Sequence, residues 1–129
     1  MYNNVIFTDV MPNVGGADPD FSTIEFYFMG APAPGTWDLS MGADANYATC
    51  VHCVLLYQDV PMMGAANKLF FQESGTMAVT AFGANPNMCA GSLTNVKVIE
   101  VTIDPVTFTS TPVPGGACYT IASAMWDTQ

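Results

Sequence analysis

The sequence predicts an all-β domain, an antiparallel β-sandwich of about eight or nine short strands in a jelly-roll or immunoglobulin-like arrangement. Strong helix formers such as Glu, Lys, Arg and Leu are scarce, whereas Thr, Val, Phe, Tyr and Gly are plentiful. Nine prolines and eleven glycines divide the chain into short segments. A chain of 129 residues that is 50% hydrophobic can bury one core, so we expect a single domain over residues 1–129.

Apolar segments between these breaks predict four strands in the first half of the chain, at 4–10, 23–29, 36–40 and 53–60. The second of them alternates, with Ile24 and Phe26 on one face and Glu25 and Tyr27 on the other. The third follows a proline-rich break and is short, which is typical of a strand at a sheet edge.

The second half of the chain predicts five more extended segments, at 68–73, 76–82, 92–104, 107–113 and 117–126. Ser74 and Gly75 separate the first two of these and predict a tight hairpin. Within 92–104, Leu93 and Val96 lie in opposite phases of the alternation. Such a conflict predicts either burial on both faces or a β-bulge.

The charge balance excludes two classes of partner. Eleven acidic residues face two basic ones, for a formal net charge of −9. Binding to nucleic acid or to an anionic membrane surface requires a cluster of cations, so we expect neither. We also expect no membrane insertion, because no apolar run approaches the roughly 18 residues that a spanning helix needs. An acidic surface suits divalent cations or cationic partners.

Four cysteines form an even set in a short chain: Cys50, Cys53, Cys89 and Cys118. In an exported protein such a set predicts two disulfides, with three connectivities open. A zinc site built from Cys50, Cys53, Cys89 and either His52 or Cys118 is the first alternative. A redox CxxC is the second, although here the pair precedes an apolar strand rather than a helix. We favour the structural disulfides.

One loop has the composition of a calcium site, with oxygen-bearing side chains at Asp9, Asn13, Asp18 and Asp20. Calcium takes six to eight oxygen ligands, and such a loop can supply several of them. The alternative is a turn whose Asp and Asn side chains bond their own backbone. No other cofactor is expected.

Trp37 and Tyr47 are the candidate ligand-binding aromatics, because such rings can form a platform for a carbohydrate or a peptide. The alternative for these rings is packing in the core.

No catalytic site is expected. His52 is the only histidine, and the chain has no Gly-x-Ser-x-Gly nucleophile motif. The strand carboxylates Glu25, Glu73 and Glu100 are interpreted as the solvent-facing side of a sheet rather than as a glycosidase pair.

Several segments resemble uncharacterised exported domains of bacterial lipoprotein type. They are GTWDLS at 35–40, NYATCVHCVLLYQD at 46–59, FFQESGT at 70–76, LTNV at 93–96, EVTID at 100–104 and TSTPVPGGAC at 109–118. The resemblance implies export and one compact domain, and it carries no activity to any residue.

Taken together, the sequence predicts a non-catalytic module that is secreted, periplasmic or held at the cell surface, although the chain shows no signal peptide. Its expected partner is a protein or a glycan. Strand-mediated assembly or a homo-oligomer is also open, because an uncovered edge strand can pair with another chain. A calcium-dependent or carbohydrate-binding domain is the alternative function.

Overall fold

The computed structural model describes residues 2–8, 20–28, 30–83 and 88–129. Within them the chain forms eight β-strands and one 3-10 helix, Gly42–Ala45. The strands are β1 (Tyr2–Thr8), β2 (Phe21–Phe28), β3 (Gly35–Asp38), β4 (His52–Gln58), β5 (Lys68–Phe82), β6 (Cys89–Ile103), β7 (Ser110–Pro112) and β8 (Cys118–Asp127). The all-β class predicted from composition is therefore confirmed.

The described strands belong to one open antiparallel sheet. Its hydrogen-bonded order is β1-β2-β4-β5-β6-β7, while β3 pairs with β5 and β8 pairs with β6. Neighbouring strands are mostly consecutive in the chain, as the short connections predict. Among the described strands β3 pairs only with β5, which confirms the edge position predicted for 36–40.

The sheet folds on itself into two layers. The first part of β5 pairs with β4, and the second part pairs with β3. Trp37 of β3 then stacks on His52 of β4, with 3.8 Å between ring centroids. Phe26 of β2 meets Phe82 at the far end of β5 at 5.6 Å. Two parts of a single sheet thus face each other across a common core.

Two clusters of buried side chains lie on the two faces of the sheet. The inner cluster, between the layers, comprises Ile24, Phe26, Leu39, Val54, Leu56, Phe70, Met77, Val79, Cys89, Leu93, Val96, Val98, Ile121 and Trp126. The outer cluster comprises Cys50, Cys53, Leu55, Phe71 and Val101. Each large apolar side chain buried in this way contributes about 1.5–3 kcal/mol. β2 and β4 are consequently buried on both faces.

β5 is one continuous strand, so the tight hairpin predicted at Ser74 and Gly75 is wrong. The register between β5 and β6 shifts on both sides of Ser74, which marks an irregularity of the β-bulge kind. Gly75 has φ 119°, and a Cβ there would lie 2.5 Å from the Val96 Cα atom. The glycine permits a close approach of two strands at the bend.

The phase conflict predicted in β6 arises from both of the expected causes. Leu93 and Val96 both belong to the inner cluster although they differ in phase. Asn95 between them adopts φ 49°, which resets the alternation. Beyond this point β6 is buried on its other face too, where Val101 joins the outer cluster and Ile99 packs against it.

Candidate binding site

The four cysteines divide into one bonded pair and two free thiols. Cys50 and Cys53 form a disulfide across three positions of the chain. Both are buried, with 4% and 0% of their surface exposed, so the bond belongs to the outer cluster rather than to an accessible redox centre. Cys89 is free and buried, and Cys118 is free and exposed.

Of the two disulfides predicted, with their connectivity left open, the structure contains one, and Cys89 and Cys118 remain unbonded for a geometric reason. In the β6–β8 ladder Ala90 pairs with Asp127, whereas Ile99 pairs with Cys118. The two thiols therefore lie at opposite ends of the ladder. At ~3.3 Å per residue that separation is about 30 Å, whereas a disulfide needs Cα atoms within ~7 Å.

The predicted metal sites receive no geometric support from the described residues. The zinc set is divided, because Cys50 and Cys53 bind each other. No group of three or more His, Cys, Asp or Glu side chains in the described ranges could hold an ion. Of the calcium candidates, Asp9, Asn13 and Asp18 lie outside the described residues. Asp20 accepts a hydrogen bond from the Asp59 backbone N–H at 2.9 Å.

Trp37 is half-buried, and one face of its indole ring is covered by the imidazole of His52. The His52 Nδ1 atom lies 2.9 Å from the Asp44 carboxylate, which also accepts the backbone N–H groups of Val51 and His52. Burial raises the pKa of Asp44, but these hydrogen bonds from His52 and Val51 outweigh it and hold the pKa below its ordinary value. The Asp44–His52 pair thus anchors the turn that carries the CxxC.

Gln72 completes this anchor from inside the core, where 2% of its surface is exposed. Its Oε1 atom accepts the Val54 N–H at 2.7 Å, and its Nε2 atom donates to the carbonyl oxygens of Asp44 and His52. Because each bond satisfies a backbone group that water cannot reach, Gln72 fastens the 3-10 helix to β4 and β5.

A cavity lined by described residues opens beside this turn. It has a volume of 320 Å³, at the lower end of the range for small-ligand sites, and it is open to solvent. Its lining residues are Tyr27, Tyr47, Ala48, Thr49, Cys50, Val51 and Phe108. Three of them are aromatic, and none carries a formal charge.

Hydrogen bonds between distant parts of the chain hold the two walls of this cavity together. The Asn46 side chain donates to the Ser110 carbonyl oxygen and accepts the Ser110 N–H, and the Tyr47 N–H donates to the Ser110 hydroxyl. In the opposite wall the Asp104 carboxylate accepts two backbone N–H groups, and Phe108 adopts φ 62°. A non-glycine residue in this region is uncommon and marks a constrained position.

A buried carboxylate is hydrogen-bonded to the aromatic lining. Glu25 has 7% of its surface exposed, and its Oε2 atom accepts the Tyr47 hydroxyl at 3.0 Å. The Tyr27 hydroxyl lies 3.4 Å from that of Tyr47. Burial raises the pKa of the Glu25 carboxyl, and the hydrogen bonds from Tyr47 and Tyr27 oppose this only in part. Burial is the main cause of the raised pKa of Tyr57, and the nearby charge of Glu25 raises it further.

Sequence reasoning identified one residue of this site and missed the others. Tyr47 was a candidate ligand-binding residue, and the structure places it in the cavity wall. Trp37 lies on the inner side of the fold and does not join it. Glu25 was interpreted as solvent-facing, and that expectation is wrong, because the turn carrying Tyr47 covers its side of β2. In the alternation of β2, Glu25 and Tyr27 lie on the same face. This shared face was the signal in the sequence that could have placed Glu25 near the site.

Comparison with known proteins finds no matching family, no similar curated protein and no similar solved structure. Across the described residues, the chain has no helix with the length and apolar character that crossing a membrane would require.

Proposed function

We propose that the protein is an exported, non-catalytic binding module that takes a small ligand, or one side group of a larger partner, into the cavity lined by Tyr27, Tyr47 and Phe108. The observation that carries this proposal is the concentration of three aromatic side chains around one open cavity of 320 Å³. Aromatic rings supply contact area at low cost in conformational entropy, which is why they are enriched in binding sites.

The rigidity of the cavity supports a binding role. Its walls are fastened by the Asn46–Ser110 hydrogen bonds and by the buried disulfide Cys50–Cys53. A site that is held in place before its ligand arrives loses less entropy on binding. The disulfide also agrees with an oxidising compartment, which supports the proposal of export.

Two-dimensional NMR tests the proposal with four probes: cyclohexanol, methyl β-glucopyranoside, choline and 3,3-dimethyl-1-butanol. At least one probe should shift the amide signals of Thr49, Val51 and Phe108 together, because these residues line the cavity. The sugar probe covers the carbohydrate alternative.

Phe108→Leu should weaken those shifts, because the ring forms part of the wall. Phe21→Leu is the matched control, since Phe21 is also a half-exposed phenylalanine, at 45% against 55% for Phe108, and does not line the cavity. If none of the four probes shifts the amide signals of the cavity residues, the proposal is overturned.

A further inference from the structure

The residues around the cavity indicate the chemical class of its ligand. Resting on the binding function proposed above, we propose that the cavity binds an alkylammonium cation, such as a trimethylammonium group, between the rings of Tyr27, Tyr47 and Phe108 and in front of the Glu25 carboxylate.

The first observation that supports cation binding is the three aromatic rings in the cavity lining. The face of an aromatic ring carries partial negative charge, and a cation within about 6 Å of its centre is attracted to it. Three such rings line one open space, and three of the four other lining residues, Ala48, Thr49 and Val51, carry methyl groups. This lining suits a methylated ammonium group, because its charge is spread over methyl groups that donate no strong hydrogen bond.

The second support is the uncompensated carboxylate. Ion pairs among the described residues join Lys68 to Glu100 and Lys97 to Glu73, and neither includes Glu25. A buried carboxylate without a cation is costly, so a cation bound nearby would restore the balance. Tyr47 links Glu25 to the cavity, since this residue both lines the space and donates a hydrogen bond to the carboxylate.

The Tyr47 hydroxyl connects the aromatic rings with the Glu25 carboxylate. A phenol that donates a hydrogen bond to a carboxylate gains electron density in its ring, and a more electron-rich ring attracts a cation more strongly. The protein as a whole adds a long-range contribution, because a net charge of −9 raises the local concentration of cations at its surface.

The pH dependence follows from the surroundings of Glu25. The titratable groups that face it are the phenols of Tyr27 on β2, Tyr47 in the turn and Tyr57 on β4. Because the pKa of Glu25 is raised from 4.5, the carboxylate forms only as the pH passes that higher value. Choline should therefore bind more tightly as the pH rises through this range.

The deciding experiment compares choline with 3,3-dimethyl-1-butanol, which has the same shape but a carbon in place of the charged nitrogen. Calorimetric titration of the full chain at pH 7 should give an affinity for choline at least tenfold higher. Glu25→Gln removes the charge and keeps the shape, so it should lower choline affinity about tenfold and leave the neutral probe unchanged. Phe108→Leu should weaken choline too, and Phe21→Leu should not.

The outcomes separate the two proposals. Equal binding of both probes at the cavity, or unchanged choline affinity in a folded Glu25→Gln variant, would overturn the cation inference and leave the binding module standing. Failure of all four probes at the cavity would overturn both. Because Glu25 is buried, circular dichroism checks that its variant folds, and the exposed Phe108 provides a variant with little effect on the core. Phosphocholine and acetyl-trimethyllysine amide, titrated likewise, distinguish a headgroup from a modified side chain as the source.

Discussion

Glu25 and Asp44 are both largely buried carboxylates, yet their pKa values shift in opposite directions. The difference lies in their hydrogen-bond donors. Asp44 accepts two backbone N–H groups and faces the His52 ring, and together these favour its charged form. From the described residues Glu25 accepts hydrogen bonds from phenol hydroxyls, which do not overcome the cost of burying its charge. One carboxylate is therefore structural, and the other is the one that we propose is balanced by a bound cation.

Thiol titration tests the division of the cysteines. Without reductant, the native protein should show one reactive thiol, because Cys118 is exposed whereas Cys89 is buried. Burial also raises the pKa of Cys89 and so disfavours its thiolate, the reactive form. Unfolding in urea should reveal a second thiol, and reduction should bring the total to four.

The matched control for this titration is Cys118→Ser, which should abolish the reaction of the native protein and leave one thiol in urea. A count of zero in urea for the unaltered chain would show that Cys89 and Cys118 are oxidised and would contradict the structure.

At the level of elements, the bend in β5 decides how the sheet becomes two layers. Ser74 and Gly75 carry the signature of a two-residue hairpin, and local pattern alone favoured that interpretation. Pairing with β6 along nearly the whole of residues 68–82 overrides it, because the ladder satisfies backbone groups of β5 while its side chains Phe70, Phe71 and Met77 are buried. Turn propensity is a local preference of a few kcal/mol or less, and packing over fifteen residues exceeds it.

Gly75→Ala should destabilise the fold by about 3 kcal/mol, measured by urea unfolding. The added Cβ atom would lie 2.5 Å from the Val96 Cα atom and 2.7 Å from the Asn95 carbonyl oxygen, at φ 119°. Gly115→Ala is the control. Gly115 also has a positive φ, at 69°, but nothing lies within 4 Å of its added Cβ, so only the backbone cost of about 1 kcal/mol remains. Equal losses in the two variants would show that the close approach to β6 contributes nothing.

At the level of the whole molecule, the net charge of −9 acts against compactness. Like charges on a folded chain of 129 residues repel one another more strongly than in the expanded unfolded state. Salt at ~0.1 M reduces the range of this repulsion to about 10 Å. Electrostatic self-repulsion should thus make stability depend on ionic strength.

Thermal unfolding at pH 7 should therefore shift upward by a few degrees between roughly 10 and 150 mM NaCl. The same comparison near pH 4.1, the isoelectric point, is the control and should show a much smaller shift, because the net charge is then close to zero. A midpoint at pH 7 that does not move with salt would show that the acidic residues are too far apart to repel.

The sequence by itself determined the class of fold, the edge position of β3 and the alternation of β2, because these depend on residues two to ten positions apart. It also placed Tyr47 among the binding candidates. Only the tertiary structure decided that Cys89 and Cys118 lie at opposite ends of a ladder, that β5 bends instead of turning, and that Glu25 is covered. Each of these outcomes depends on which distant segment pairs with or packs over a strand, and that choice is made by burial summed over the whole chain rather than by any local pattern.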